Sequence, residues 1–203
     1  MEKQLPIYKC AIDEDVNSVL QVEYIALVNT PAIEKNFMAF NKERMKFNID
    51  NEKRIISGPA MIADMLIYRN MEPLGEFYTV FDAQTIEKVV QKFFKKGFVH
   101  NFNLDHDSDQ KTNEITIFES YFINRAAGIT PPAGYEDVTD GSWWVTSKVE
   151  DDAVWEKVKD GTFKGYSVEG IFKQIPVNMT MSNDAILEKI SALLDMLSPD
   201  SFE

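Results

Sequence analysis

Apolar and polar positions alternate in short runs through most of the chain, and helical spacing replaces that alternation in a few places. Alternation sends one face of an extended segment into a core and the other into water, so these runs predict strands. Leu5–Ala11 and Gln21–Val28 are rich in β-branched and aromatic residues. Pro6 cannot donate to a ladder, which assigns the first run to a sheet edge or a strand start. Asn29-Thr30-Pro31 supplies a turn after the second. Further strands are predicted at Arg54–Ala60, Met65–Arg69, Gly75–Phe81, Glu114–Asn124, Trp143–Val149 and around Gly165–Gly170.

Ile86, Val89, Val90 and Phe93 recur at i, i+3, i+4 and i+7, which predicts a helix over Ala83–Lys96. Asp82 can accept the free N–H groups of its first turn. Lys92, Lys95 and Lys96 lie at the negative end of its dipole, and Gly97 suits a left-handed residue beyond the last turn. A shorter helix over Asp152–Lys159 presents Val154, Trp155 and Val158 and stops at Gly161. Lys173–Asn183 reads as a linker, with Pro176 and a polar run. Over 184–203, Ile186, Leu187, Ile190, Leu193, Leu194 and Leu197 mark an amphipathic helix that ends before Pro199. It is either packed on the core or a detachable, partner-binding tail.

At 203 residues the chain suits one main domain, residues 1–172, followed by the linker 173–183 and the tail 184–203. Hydrophobic residues at 44% are ample for a core, which excludes wholesale disorder. The formal net charge of −12 repels phosphates and anionic lipids, so neither nucleic acid nor a membrane surface is an expected partner. A basic protein surface remains compatible with it. Cys10 stands alone, so no internal disulfide can form and a reducing compartment fits. The first residues carry no signal-peptide pattern, and no apolar run approaches the roughly 18 residues of a membrane span. A soluble, intracellular protein is expected.

Ser167 sits in Gly165-Tyr166-Ser167-Val168-Glu169-Gly170, a serine held between two glycines on a predicted strand. Serine is a weak nucleophile and needs a base within hydrogen-bond reach and a group to orient that base. The spacing is not the Gly-x-Ser-x-Gly elbow of α/β-hydrolases, and a structural serine fits the segment as well. The chain has two histidines. His106 lies in Asn103-Leu104-Asp105-His106-Asp107 and is a candidate base. His100, in an apolar-alternating run, reads as structural. Asp105, Asp107 and Asp109 match the opening of a calcium loop, but Gln110 stands at its glycine position and Thr116 at its bidentate-glutamate position. One cysteine and two histidines do not build an ordinary zinc site. Spacing leaves the third member open: Glu119, on the strand after the His106 segment, leads, with Asp140 and Glu169 in reserve.

The order of these segments resembles that of the tailed-phage prohead proteases, the serine proteases that mature capsids. The resemblance spans about residues 20 to 172. It rests on Leu27–Ile33, Ile56–Met61, Tyr68-Arg69, Phe77–Phe81 with Thr85–Glu87, Asn103–Asp107, Glu119–Tyr121, Gly141–Val145, Trp155–Lys159 and Gly165–Gly170 taken in sequence. It implies an α+β fold like the herpesvirus assembly proteases, a mainly antiparallel β-barrel core surrounded by helices. It also implies Ser167 as nucleophile, His106 as base, Glu119 as the third residue, and no cofactor. The implied substrates are scaffolding protein, major capsid protein and the protease itself, cut inside the assembling prohead in the host cytoplasm. The non-enzymatic alternative is an inactive module on the same fold that binds capsid or scaffold.

Overall fold

Burial follows the alternation in the sequence. In Ile7–Ala11 (β1) the buried residues are Tyr8 and Cys10, and in Gly75–Val80 (β6) they are Phe77 and Thr79. The computed structural model describes residues 5–29 and 46–178. Within them the remaining strands are Val22–Val28 (β2), Asn48–Asp50 (β3), Ile55–Met61 (β4), Ile67–Met71 (β5), Phe102–Leu104 (β7), Asp107–Thr112 (β8), Ile115–Phe122 (β9), Trp143–Val149 (β10), Gly165–Gly170 (β11) and Lys173–Asn178 (β12). The helices are Ala83–Lys95 (α1) and Asp152–Lys159 (α2).

The strands form three four-stranded sheets, ordered β12-β1-β6-β5, β3-β4-β10-β9 and β11-β2-β7-β8. Most pairings are antiparallel, but β1 with β6 and β2 with β7 run parallel. These two pairings put β1 and β2 in the interiors of two different sheets, which divides the strands instead of leading them round a closed ladder. The helix-ringed barrel expected from the resemblance is therefore not what forms. The sheets are open, each ends on edge strands, and two α-helices accompany them among the described residues.

One core joins all three sheets. Ile25 and Leu27 of β2, Ile56 of β4, Trp143 and Val145 of β10 and Phe102 of β7 pack with Phe93 of α1 and Trp155 of α2. Asp82 caps α1 by accepting from the Thr85 N–H at 2.9 Å. The predicted face Ile86, Val89, Val90 and Phe93 is the one that is buried. Lys92 departs from expectation. Its ammonium donates to the carbonyls of Asp13, Asp15, Ser18 and Leu20 at 2.6–3.3 Å, so it ties the β1–β2 loop to the helix.

Other departures have local causes. Strand β5 begins at Ile67, not Met65, because Ala63 and Asp64 are held in a turn. The Ala63 N–H donates to Ser142 Oγ and the Asp64 N–H to the Phe81 carbonyl. Strands β3 and β7 are too short to show a period, and β8 is polar throughout. Lys173–Asn178, expected to open a linker, pairs with β1 as an edge strand, and the rest of the expected linker lies outside the described residues. Pro176 is tolerated there because an edge strand can turn a missing N–H outward. Thr30, Pro31 and the amphipathic stretch 184–203 lie outside the described residues.

Candidate active site

Three residues stand in a row across the third sheet. Ser167 of β11 pairs with Ala26 of β2, which pairs with Asn103 of β7. Residues aligned across a sheet share a face, and so do residues two apart on one strand, so Glu169 joins the row. Ala26 contributes a single methyl, which leaves space above it for side chains reaching across from both neighbours.

His106 arrives by a tight turn. Strand β7 becomes β8 through the two-residue hairpin Asp105-His106, with φ of 52° and 61°. Positive φ at both central residues is the type I′ pattern, which glycine and asparagine adopt most easily. For side-chain-bearing residues it costs about 1–2 kcal/mol each. Neighbouring backbone holds the turn in place. The Asp105 N–H donates to the Leu27 carbonyl at 2.9 Å, and Asp105 Oδ1 accepts from the Asn29 N–H at 3.0 Å.

The imidazole of His106 lies between the two β11 side chains. Its Nε2 is 2.9 Å from Ser167 Oγ, and its Nδ1 is 3.3 Å from Glu169 Oε2. With Nδ1–H directed at the carboxylate, Nε2 carries the lone pair that can take the serine proton. The same Glu169 oxygen accepts from Asn103 Nδ2 at 2.6 Å. Asn103 is fully buried, and its Oδ1 has no hydrogen-bond partner among the described residues. Ser167 is 6% exposed, whereas the His106 and Glu169 side chains are each 40% exposed, so water and substrate reach the base from outside.

Glu119 does not join this group. It lies on β9, in another sheet, and accepts from Thr146 Oγ1, which also meets Ser57 Oγ at 3.1 Å. Asp140 pairs with Arg125. The carboxylate that faces His106 Nδ1 is that of Glu169, two residues beyond Ser167 on β11, and not that of Glu119. The i, i+2 relation of Glu169 to the serine on a strand was the signal that could have ranked it first. Asn103 had only its place three residues before His106 to mark it. His100 meets Thr116 Oγ1 at 3.0 Å through Nδ1, away from the serine.

The aspartates around His106 serve the hairpin. Asp107 accepts from the Gln110 side chain and from the Asp109 N–H, and these bonds hold its carboxyl below the usual aspartate value. Among the described residues no three His, Cys, Asp or Glu side chains are grouped to hold a metal ion.

A cavity of about 390 Å³ opens beside the serine, between β11 and the inner face of the first sheet. Met61, Met65, Met71 and Phe172 give it an apolar, adaptable lining. Cys10 also lines it. Burial pushes that thiol up to about 11, which keeps it protonated near neutrality.

Two curated relatives come from Bacillus subtilis (strain 168). "Uncharacterized protein YqbD" is 26% identical over 164 residues, covering 76% of this chain and 46% of that protein. "Phage-like element PBSX protein XkdF" is 26% identical over 150 residues, covering 72% of this chain and 46% of that protein. The chain thus spans about half the length of the curated relatives it matches. No solved structure matches it. A family model described as "Putative phage serine protease XkdF" matches residues 42–176, a stretch that includes Asn103, His106, Ser167 and Glu169. On that match the chain belongs to this phage serine protease family.

Proposed function

We propose that the protein is a serine endopeptidase in which Ser167 is the nucleophile, His106 the general base and then acid, and Glu169 the residue that orients His106. The observation that carries this reading is the 2.9 Å separation of His106 Nε2 and Ser167 Oγ, with a carboxylate behind the opposite ring nitrogen. As Oγ bonds to the substrate carbonyl carbon, its proton passes to Nε2. The imidazolium then gives that proton to the leaving amine as the C–N bond breaks. Water, deprotonated by the same nitrogen, next hydrolyses the acyl-enzyme and restores the serine. Glu169 keeps Nδ1 protonated and stabilises the imidazolium that forms in each half.

The substrates follow from the phage context of the family and from the resemblance to prohead proteases. They are the scaffolding protein, the major capsid protein and the protease itself, processed in the assembling prohead inside the host cytoplasm. The test incubates purified protein with its phage's scaffolding protein and, in parallel, with a serine-directed phosphonate. The parent is expected to cleave the scaffold and to be labelled at Ser167. Ser167→Ala and His106→Ala should lose cleavage down to the residual of roughly 10³- to 10⁴-fold over water that disabled triads keep. Variants that cleave as fast as the parent would overturn the assignment. A parent that binds scaffold but takes no label would instead be a capsid- or scaffold-binding module.

A further inference from the structure

The cavity beside Ser167 holds one charged side chain that the mechanism does not use. Strand β5 directs Ile67, Arg69 and Met71 into it, and Tyr68, between them, hydrogen-bonds Glu76. The carboxylate closest in the neighbouring strand is therefore engaged by another residue. Glu169 lines the same cavity, but its Oε2 is committed to His106 and Asn103. Among the described residues no carboxylate forms an ion pair with Arg69, and no hydrogen bond satisfies its guanidinium. Burial works against its charge, as expected for a cation in an apolar lining without a counter-ion. Such a group is costly to keep unless something anionic enters.

We infer that Arg69 makes this cavity a binding site for a substrate carboxylate, so that the enzyme prefers an aspartate or glutamate as the residue whose carbonyl Ser167 attacks. The cavity is continuous with Ser167 Oγ, so the side chain nearest the reacting carbonyl is the one that enters it. The methylenes of that side chain would pass the methionines and its carboxylate would meet the guanidinium, an arrangement that suits bidentate pairing. This inference rests on the reading of Ser167 as nucleophile.

The test is a set of peptidyl diphenyl phosphonates that differ only in the residue bearing phosphorus: Glu, Gln, Leu or Lys. The rate at which each labels Ser167 is followed by mass spectrometry. On the parent the Glu probe should react about 10- to 100-fold faster than the Gln probe, as the loss of a charge-assisted pair implies. The Lys probe should be slower still. Arg69→Gln should bring the Glu and Gln rates together by slowing the Glu probe far more than the Leu probe. A merely structural arginine would slow all four alike. Labelling of the parent without preference for Glu overturns the inference while leaving Ser167 the nucleophile. A Glu preference that survives in Arg69→Gln assigns it to another group and also overturns it. If no probe labels Ser167, the nucleophile reading fails and this inference fails with it. The four probes on the parent decide the preference even where the variant does not fold.

Discussion

Ser167 and Glu169 reach opposite nitrogens of one imidazole from the same face of β11: Oγ lies 2.9 Å from His106 Nε2 and Oε2 lies 3.3 Å from Nδ1. One strand therefore carries both the serine and the carboxylate, and the imidazole arrives from a hairpin two strands away. The spacing of the two β11 residues is set by the pleat and not by a loop.

Replacing Glu169 tests that relation. In Glu169→Gln an amide N–H can face Nδ1, which favours the tautomer with its proton on Nε2, where it blocks transfer from serine. Labelling and cleavage rates should fall by about 10²- to 10⁴-fold, the range seen when a triad carboxylate is lost. Glu119→Gln should stay close to the parent rate, because Glu119 bonds Thr146 in another sheet. The reverse ranking in a phosphonate-labelling assay would restore Glu119 to the site.

Asn103 separates activity from stability. Its Nδ2 fixes the Glu169 oxygen that faces His106, while its Oδ1 is buried without a partner. Asn103→Leu removes both features at similar volume. Glu169 is partly exposed and can take water in place of the lost bond. Thermal stability should therefore stay near that of the parent or rise, while the labelling rate falls by about 10-fold, the worth of one hydrogen bond to a charged group. A variant that loses stability and activity together would mean that Asn103 serves the sheet and not the carboxylate.

Strands β1, β2, β4, β5, β6, β9, β10 and β11 and both helices were legible because their periods run for five residues or more. Strands β3, β7 and β8 were too short or too polar, and β12 reads as a linker. The sequence did not show how the strands sort into sheets. Parallel pairing of β1 with β6 and β2 with β7 leaves no local mark, since it joins segments far apart in the chain. Ser167 and His106 were legible as a pair through the order of segments that resembles the prohead proteases, since Gly165–Gly170 alone reads as an ordinary strand. Glu169 ranked only as a reserve behind Glu119, because a strand that could run back beside the His106 segment was given more weight than the shared face of β11. Arg69 entered only as part of the ordered resemblance and with no role, since an arginine on an edge strand usually faces solvent, and only the other sheets turn this face inward.

Asp82 makes a pH-dependent contribution. Burial acts to raise its carboxyl, but the ion pair with Lys9 and the bonds from Thr85 outweigh burial and hold it below the usual aspartate value. A depressed folded-state value means that its stabilisation is complete above the unfolded value and is lost as pH falls below it. Asp82→Ala should cost about 1–2 kcal/mol near pH 7, the usual worth of an N-cap. The difference from the parent should shrink as pH is lowered through 4 to 3. Urea melts of both proteins across that range measure it, and a difference that stays constant with pH would show that the cap, not the charge, is what Asp82 supplies.

Gly170 marks where β11 must approach β2 too closely for any side chain. A Cβ there would lie 2.2 Å from the Gln21 carbonyl oxygen and 2.8 Å from Val22 Cα. Both are backbone atoms, so no rotamer change can relieve the contact and the strands themselves must part. The register shift between Glu169 and Gly170 and the bond from the Ile171 N–H to Gln21 both sit at this junction. Gly170→Ala should therefore destabilise the protein by about 1–3 kcal/mol, as overpacking does. It should also lower the labelling rate of the fraction that remains folded, because Glu169 moves with its neighbour. Gly58→Ala is the control: its added methyl would meet the Tyr166 ring at 3.6 Å, an ordinary contact, and should leave the labelling rate unchanged. Equal effects of the two substitutions would mean that the β11–β2 junction is no tighter than the rest of the sheet, and that the position of Glu169 is set elsewhere.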